Sequence, residues 1–359
     1  PNLPDIPDIE RFQGAIFHTA KWDHSVDYRG KRVAVIGNGS SSTQLTPHLG
    51  ETAAYVAAFQ RTPQWIAPLE NYHGKVSSEV KWLADNLPYY WNWQNYSAFL
   101  FSMQIQEFQE IEPGRKANGG GVSAANDHLR ETLTEYIESK VGDDPELMAK
   151  LLPSVAPLGR RLVIDNGWYD TLRRDNVELI TDGIERFTET GIRTVDGVER
   201  AFDLVVLGTG FNTSKYLWPT HYVGRDGTTL DDLWSKDGPR SYLGITLPGF
   251  PNFFAMFGPN GQPRAAGLHS WMEAWTRYIL TAVTKMVEGG HSSVELRRDV
   301  YDDYNAQVDR VGATILWAQE GKGSYYVNAY GRSDLNIPFR AEEYYAMISS
   351  PNMDYFILN

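Results

Sequence analysis

The chain has 359 residues and a formal net charge of −12, from 33 Lys and Arg against 45 Asp and Glu. This acidic balance is the opposite of that expected for a general nucleic-acid or anionic-membrane binder. The absence of Cys excludes disulfides, thiol catalysis and Cys-ligated zinc or iron–sulfur sites. No apolar run approaches the ~18 residues that span a bilayer, and no charged-then-apolar leader follows Pro1. The sequence therefore predicts a folded cytoplasmic protein of two or three domains.

The first chemical signal is a glycine-rich turn between a strand and a helix. Residues 33–36 predict a buried strand, a helix is expected from Thr43, and residues 54–59 predict the next parallel strand. This β–turn–α–β order is typical of a doubly wound α/β fold. Gly37 permits a tight turn, Gly39 lets the backbone approach a pyrophosphate, and Ser42 stands where a third glycine is usual. The turn predicts a dinucleotide site formed by Gly37, Asn38, Gly39, Ser40, Ser41, Ser42 and Gln44. An ordinary tight βα turn is the alternative.

The residues after the second strand distinguish between the two nicotinamide dinucleotides. An NAD site usually carries an acid about 20 residues past the glycines, whereas Arg61 and Thr62 stand here. A guanidinium can pair with a 2′-phosphate through two hydrogen bonds, which favours NADP. A solvated arginine at a strand end remains the alternative interpretation.

The rest of the chain alternates between helical and α/β character. Aromatic side chains crowd residues 70–152, which we interpret as a helical insertion, with helix packing favoured over an apolar substrate wall. Strands are expected at 176–180, 203–207 and 252–257, and a hairpin around Asp196-Gly197. Gly208-Thr209-Gly210 also follows a strand, but the residues after it do not predict a helix. We therefore do not interpret it as a second dinucleotide turn.

A fingerprint upstream of the glycine-rich turn carries a family resemblance. Phe12, Gly14, His18, Trp22 and Asp23 follow the order FxGxxxHxxxW and then Pro or Asp. This pattern resembles the signature of type I Baeyer–Villiger monooxygenases, and the similarity extends over essentially the whole chain. Segments similar to the branch that includes 4-hydroxyacetophenone monooxygenase are Asp165-Asn166-Gly167-Trp168-Tyr169, Ser324-Tyr325-Tyr326 and Asn328-x-x-Gly331-Arg332.

The resemblance implies a two-dinucleotide-binding-domain flavoprotein of the α/β class. On that basis 1–29 is an inter-domain linker carrying the fingerprint, 30–69 and 153–211 form an NADP-binding Rossmann domain, 70–152 is the helical insertion, and 212–359 is the C-terminal part of an FAD domain. The family's N-terminal FAD-binding βαβ unit has no counterpart in the sequence. We expect a truncated chain, a partner chain that supplies the unit, or a descendant with another task.

The resemblance also implies an activity and residue roles. FAD and NADPH would serve a monooxygenase that converts a ketone and O₂ into an ester or lactone through a flavin C4a-peroxide. Arg161 would be the cation beside the peroxide, acting through its charge because arginine cannot be a base, and Arg160 would lie near the NADP 2′-phosphate. His18 would serve conformational coupling rather than proton transfer. Gly258 and Asn260 would face the flavin.

Two alternatives remain from the residues. A related flavin enzyme could oxygenate sulfur or nitrogen, and a non-catalytic NADP-binding half of a split assembly would also fit. Metal, hydrolase and P-loop chemistry have no support, because no HExxH, GxSxG or GxxxxGK[ST] motif occurs.

Overall fold

The structure is a computed structural model that describes residues 1–319 and 325–359. The described residues form twelve strands: β1 Ala15–His18, β2 Arg32–Ile36, β3 Tyr55–Phe59, β4 Ile66–Ala67, β5 Val163–Ile164, β6 Val177–Ile180, β7 Ile184–Phe187, β8 Gly191–Thr194, β9 Glu199–Ala201, β10 Leu204–Leu207, β11 Val294–Leu296 and β12 Phe356–Leu358. They also form ten α-helices: α1 Ser40–Thr52, α2 Ser78–Asn86, α3 Tyr90–Gln104, α4 Ala124–Val141, α5 Pro145–Leu151, α6 Trp168–Leu172, α7 Leu230–Trp234, α8 Leu268–Glu288, α9 Arg298–Gly312 and α10 Ala341–Ile348.

The chain divides into two compact units. The first comprises Pro1–Val76 and Asp127–Asn212, and the second comprises Ser77–Asn126 and Thr213–Asn359. The segment 70–152, which the sequence presents as one insertion, is therefore shared between the two units. Its aromatic part belongs to the second unit, and most of α4 and all of α5 belong to the first.

The first unit is built on a parallel five-stranded sheet in the order β1-β10-β2-β3-β6. Alternate residues of its strands enter two different cores. Val33 and Val35 of β2 pack on one face with α1 and α6, whereas Ala34 and Ile36 pack on the other. Burial on both faces explains why the strands are continuously apolar. The mixed α/β fold predicted from the sequence is confirmed.

Residues 1–29, which the resemblance implies to be an inter-domain linker, contain regular structure. β1 pairs in parallel with β10, with Ala15 opposite Leu204 and His18 opposite Leu207. The fingerprint therefore supplies an edge strand of the first unit's sheet. This strand is difficult to predict from the sequence, because its apolar run is only three residues long and is followed by a histidine.

The hairpin around Asp196-Gly197 is confirmed. The amide of Gly197 donates to the carbonyl oxygen of Thr194 at 2.9 Å, and Gly197 adopts a φ of 87° between β8 and β9. β7, β8 and β9 form a separate antiparallel sheet. No helix follows Gly210 before Arg225, as the sequence predicts.

The second unit packs α8, α9 and α10 around a shared aromatic core. The indole of Trp275 donates to the Tyr344 hydroxyl at 2.6 Å, and that hydroxyl donates to the carbonyl oxygen of Leu243 at 2.6 Å. The sequence also predicts an amphipathic helix from His269 towards Glu288, and α8 matches it closely.

The strand predicted at 252–257 is wrong. This segment forms turns, with Asn252 at a φ of 58° and the amide of Phe253 bonded to the carbonyl oxygen of Phe250. Phe253, Phe254 and Phe257 pack against the aromatic core without a strand partner. Core packing rather than a ladder explains the apolar run.

The expected packing of the aromatic segment is also wrong. α3 buries none of its residues, and exposed fractions reach 67% at Trp93 and 71% at Phe101. Composition predicted the helix, but the number of aromatic residues does not reveal which of them face solvent.

Candidate functional site

The candidate nucleotide site lies at the carboxyl edge of the first unit's sheet. The amide of Gly37 donates to the carbonyl oxygen of Phe59 at 3.0 Å, and the amide of Gly208 donates to the carbonyl oxygen of Ile36 at 2.8 Å. The loops that follow β2, β3 and β10 are therefore held side by side. In open parallel sheets, ligands bind at this edge.

The glycine-rich turn has the shape that a diphosphate requires. Gly37 has a φ of 102°, and a Cβ there would lie 2.5 Å from the carbonyl oxygen of Gly208. A Cβ on Gly39 would meet nothing within 4 Å, so the backbone is open to a ligand. α1 begins at Ser40 with no side-chain cap, which leaves the first-turn amides of Ser40 and Ser41 directed toward the turn. These features fit a bound pyrophosphate.

Asn38 connects the turn to the next strand end. Its buried amide donates to Gln60 Oε1 and to the carbonyl oxygen of Thr62, each at 2.8 Å. Gln60 in turn donates to the carbonyl oxygen of Lys150 at 2.7 Å. Asn38 thus holds the loop that carries Arg61. Gln60 is not among the site residues predicted from the sequence, although a polar residue directly after an apolar strand is a signal for such a contact.

The two segments that carry the candidate arginines lead into the same short pair of strands. β4 and β5 pair in parallel, with Ile66 opposite Val163. Arg61 precedes β4, and Arg160-Arg161 precede β5. Because the strands run in the same direction, the two segments approach the ladder from the same end. Arg61 and Arg161 are exposed and Arg160 is partly buried.

The far end of β5 is anchored by Asp165, which is 7% exposed. Asp165 Oδ1 accepts from the amides of Gly167 and Trp168, each at 2.8 Å, and Oδ2 accepts from the Tyr136 hydroxyl at 2.8 Å. The side chain of Asn166 donates to the carbonyl oxygen of Gln44 at 3.1 Å. α1, α4 and β5 are therefore tied together within this unit. Gln44 takes part through its backbone oxygen.

The first half of the fingerprint packs into the sheet. Phe12 is buried against Phe187, and a Cβ on Gly14 would lie 2.7 Å from the carbonyl oxygen of Asp203. Buried His18 uses both ring nitrogens: Nδ1 accepts from the amide of Ala20 at 3.1 Å, and Nε2 lies 3.0 Å from the carbonyl oxygen of Gly210. Burial lowers the pKa of His18.

The second half of the fingerprint is local. Trp22 packs edge-on against Phe17, with ring centroids 4.8 Å apart. Asp23 accepts from the amide of Ser25 at 2.9 Å and from its hydroxyl at 2.6 Å. These hydrogen bonds lower the pKa of Asp23. The carboxylate forms a tight turn.

In the second unit, the expected flavin-facing turn is tightly built. A Cβ on Gly258 would lie 2.8 Å from the carbonyl oxygen of Gly244. Asn260 is buried, and its side chain donates to the carbonyl oxygens of Ser333 and Asn336 at 2.8 and 2.9 Å. The segment that it holds carries buried side-chain atoms that have no hydrogen-bond partner among the described residues: Ser333 Oγ, Asp334 Oδ2 and Asn336 Nδ2. Buried polar atoms are nearly always paired, so this segment fits the polar part of a ligand.

Asn328 and Arg332 close a turn beside that segment. The amide of Asn328 donates to the carbonyl oxygen of Arg332 at 2.8 Å, and Arg332 Nη2 donates to Asn260 Oδ1 at 3.3 Å. Ser324, part of the same sequence pattern, lies outside the described residues. Within 1–319 and 325–359, no group of acidic and histidine side chains has a metal-binding arrangement. In that same part of the chain, every helix is too short or too polar to cross a membrane.

Comparison with protein families links the chain to flavin chemistry. Residues 1–76 match the family described as flavin-binding monooxygenase-like. The chain is 33% identical to an uncharacterized monooxygenase of Sinorhizobium fredii, over 99% of this chain and 54% of that protein. It is 32% identical to an uncharacterized monooxygenase of Mycobacterium bovis, over 98% of this chain and 67% of that protein.

Named relatives and solved structures point in the same direction. A Baeyer-Villiger monooxygenase of Pseudomonas aeruginosa is 31% identical over 91% of this chain and 60% of its own length. The structure of oxidized steroid monooxygenase bound to NADP has a TM-score of 0.80 and 28% identity, covering all of this chain and 72% of that one. The chain thus spans about half to two thirds of the length of these curated relatives.

Proposed function

The chain belongs to the flavin-binding monooxygenase family that includes Baeyer–Villiger monooxygenases, and we propose that the whole protein converts ketones into esters or lactones. In the balanced reaction, ketone, O₂, NADPH and a proton give ester, water and NADP⁺. One oxygen atom enters the bond between the carbonyl carbon and its neighbour. The pairing of β4 with β5 carries the proposal, because it brings the segments of Arg61 and Arg160-Arg161 to one end of a ladder.

The first unit would hold NADP. Amides of Ser40, Ser41 and Ser42 would bind the pyrophosphate beside the open backbone of Gly39. Arg61 and Arg160 would bind the 2′-phosphate, for which planar guanidinium groups are well suited. Support for this assignment comes from the absence of an acid in the loop after β3.

The second unit would contribute to holding FAD through the turn of Gly258 and Asn260. Ser333 Oγ, Asp334 Oδ2 and Asn336 Nδ2 beside that turn have no partner in the described part of the chain, which supports the assignment. When bound, NADPH would supply the hydride and FAD would supply the group on which O₂ is activated. We further propose that a glycine-rich FAD-binding βαβ unit, in the same protein or in a partner chain, completes the flavin site. Co-purification with such a chain would test the second arrangement.

Arg161 would act through its permanent charge. A guanidinium stays protonated at every working pH, so it cannot remove a proton. It can stabilise negative charge on the oxygen that attacks the ketone, and a fixed cation in a preorganised position provides such stabilisation without reorganisation. The anchored end of β5 holds the adjoining backbone in place.

The test of this role uses full-length protein purified with its flavin. We expect Arg161→Ala to abolish ester formation, a loss of at least about 100-fold, since one electrostatic donor contributes on the order of 10²–10³ in rate. Anaerobic flavin reduction by NADPH should persist, and Arg161→Lys should retain part of the ester yield. Arg160→Ala is the matched control and should mainly raise the KM for NADPH. Normal ester yield from Arg161→Ala would overturn the assignment.

The type of oxygenation and the substrate class are tested together. An aryl ketone, a cyclic ketone and a thioether are offered to the same preparation. We propose that aryl ketones are preferred, supported by the segments similar to the 4-hydroxyacetophenone branch. Exclusive sulfoxide formation would instead favour the sulfur-oxygenating alternative.

A further inference from the structure

Ser42 and Gly208 meet at the closest approach of α1 to the end of β10. A Cβ added to Gly208 would lie 1.8 Å from Ser42 Oγ, 3.2 Å from Ser42 Cβ and 3.4 Å from the carbonyl oxygen of Ile36. Carbon atoms in van der Waals contact are about 3.5–4.0 Å apart. Rotation of Ser42 about χ1 would relieve the first conflict, but the short Cβ–Cβ contact would remain. Ser42 therefore occupies the space that any side chain at 208 needs.

Hydrogen bonding does not explain the serine. Ser42 is 1% exposed, and its Oγ has no hydrogen-bond partner among the described residues. Its backbone carbonyl oxygen accepts from the Thr46 hydroxyl at 2.8 Å, so only the side chain is unpaired. A buried hydroxyl without a partner is unfavourable, and the space that it fills is its evident contribution.

Gly208 is also fixed from the other side by the dinucleotide turn. The amide of Gly208 donates to the carbonyl oxygen of Ile36 at 2.8 Å, and a Cβ on Gly37 would lie 2.5 Å from the carbonyl oxygen of Gly208. Displacing Gly208 therefore moves the turn at Gly37. Displacing Ser42 moves the first helical turn of α1, whose amides face the glycine-rich turn at Gly37.

We propose that Ser42 and Gly208 are a matched pair that positions the dinucleotide turn. The third position of the glycine pattern normally allows close packing of helix on strand. Here that position carries a side chain, and the opposite strand end carries none. Ser42 is thus a positioning residue that sets the distance between α1 and β10 and places the first-turn amides of α1. The nucleotide part of this inference rests on the proposed function, whereas the packing part does not.

The test is a double-mutant cycle in the full-length flavin-loaded protein. The proteins compared are the parent, Gly208→Ala, Ser42→Gly and the double variant, by thermal midpoint, by NADP⁺ titration calorimetry and by steady-state kinetics with NADPH. We expect Gly208→Ala to lower the midpoint by about 2–4 °C or more. It should also weaken NADP⁺ binding about tenfold and raise the KM for NADPH, with kcat within about twofold. The reason is that moving Gly208 also moves the turn at Gly37, and residues in contact couple strongly.

In the Ser42→Gly background, the same Gly208→Ala substitution should change the midpoint by under about 1 °C and NADP⁺ affinity by under about twofold. The space that the new methyl group needs is then free, and two residues in contact are not expected to have additive effects. Equal effects in both backgrounds would overturn the pairing. If Gly208→Ala fails to fold, recovery of folded protein by the double variant supports the pairing, and failure of both overturns it. A parent that binds no NADP⁺ refutes the proposed function and the nucleotide role. If the effects of the two substitutions on the thermal midpoint are still non-additive in that case, the packing of Ser42 against Gly208 remains supported.

Discussion

At the scale of single residues, His18 connects the fingerprint to the end of β10. The Nε2–H tautomer satisfies both contacts, because Nδ1 must accept from Ala20 while Nε2 donates to Gly210. A protonated ring would lose the first contact. Burial lowers the pKa of His18, so the folded state favours the neutral ring. This supports a positioning role and argues against proton transfer at this residue.

The lowered pKa gives a pH-dependent stability. Between the folded pKa and the unfolded value of about 6.5, the unfolded chain binds more protons. The contribution of His18 is therefore present above about pH 6.5 and is lost as the pH falls below it. As the pH falls from 7.5 to 5, urea unfolding midpoints should decline more steeply for the parent than for His18→Gln. Parallel curves would show that His18 is not held neutral.

Arg61 is the residue through which the site would distinguish the two nicotinamide dinucleotides. Arg61→Ala should raise the KM for NADPH about tenfold, since a charge-assisted hydrogen bond contributes about 1.5–3 kcal/mol. The KM for NADH should change little. Arg29→Ala, which removes an exposed arginine ion-paired with Asp27, is the control for lost charge. Equal changes in the KM of both nucleotides would contradict the role of Arg61.

At the scale of elements, the dinucleotide turn could be predicted because each of its requirements is local. A buried strand, glycines and a helix follow one another within twenty residues, and the observed β2, α1 and β3 match them. Residues 252–257 and the aromatic run of α3 could not be predicted in the same way. In both, apolar composition was informative, but whether the residues pair, pack or face solvent depends on distant partners.

Arg264 anchors the segment after α3 to the rest of the second unit. Its guanidinium, about 1% exposed, donates to Gln109 Oε1 at 3.0 Å, to the Gln106 carbonyl oxygen at 2.6 Å and to Glu110 Oε1 at 3.2 Å. Burial lowers the pKa of Arg264. No motif marks this residue in the sequence, because these three partners are more than 150 positions away.

Removing that guanidinium should destabilise the second unit. Arg264→Met leaves several buried acceptors without donors, and breaking a buried charged contact costs about 3–5 kcal/mol. The control is Arg340→Met, which removes a partly exposed arginine that also pairs with Glu110 and should cost about 0–1 kcal/mol. The measurement is the urea unfolding transition of each variant. Similar losses for the two variants would show that Arg264 is not an anchor.

At the scale of the whole molecule, the sequence predicted the α/β class and the family but not the division into units. The boundary near Asp127 falls close to the start of α4, where nothing in the composition marks a change. Which unit a helix joins depends on side chains far along the chain, such as Asp165 for Tyr136. The assignment of β1 to the sheet likewise depends on β10, almost two hundred residues later.

The proposed oxygenation of ketones by the whole protein is tested most directly by isotope labelling of the product. Full-length flavin-loaded protein is supplied with NADPH, an aryl ketone and ¹⁸O₂, and the product is analysed by mass spectrometry. We predict an ester with a single ¹⁸O in the bridging position and one NADPH consumed for each ester formed. Consumption of NADPH with hydrogen peroxide as the only oxygen product, or an ester without ¹⁸O, would contradict the account.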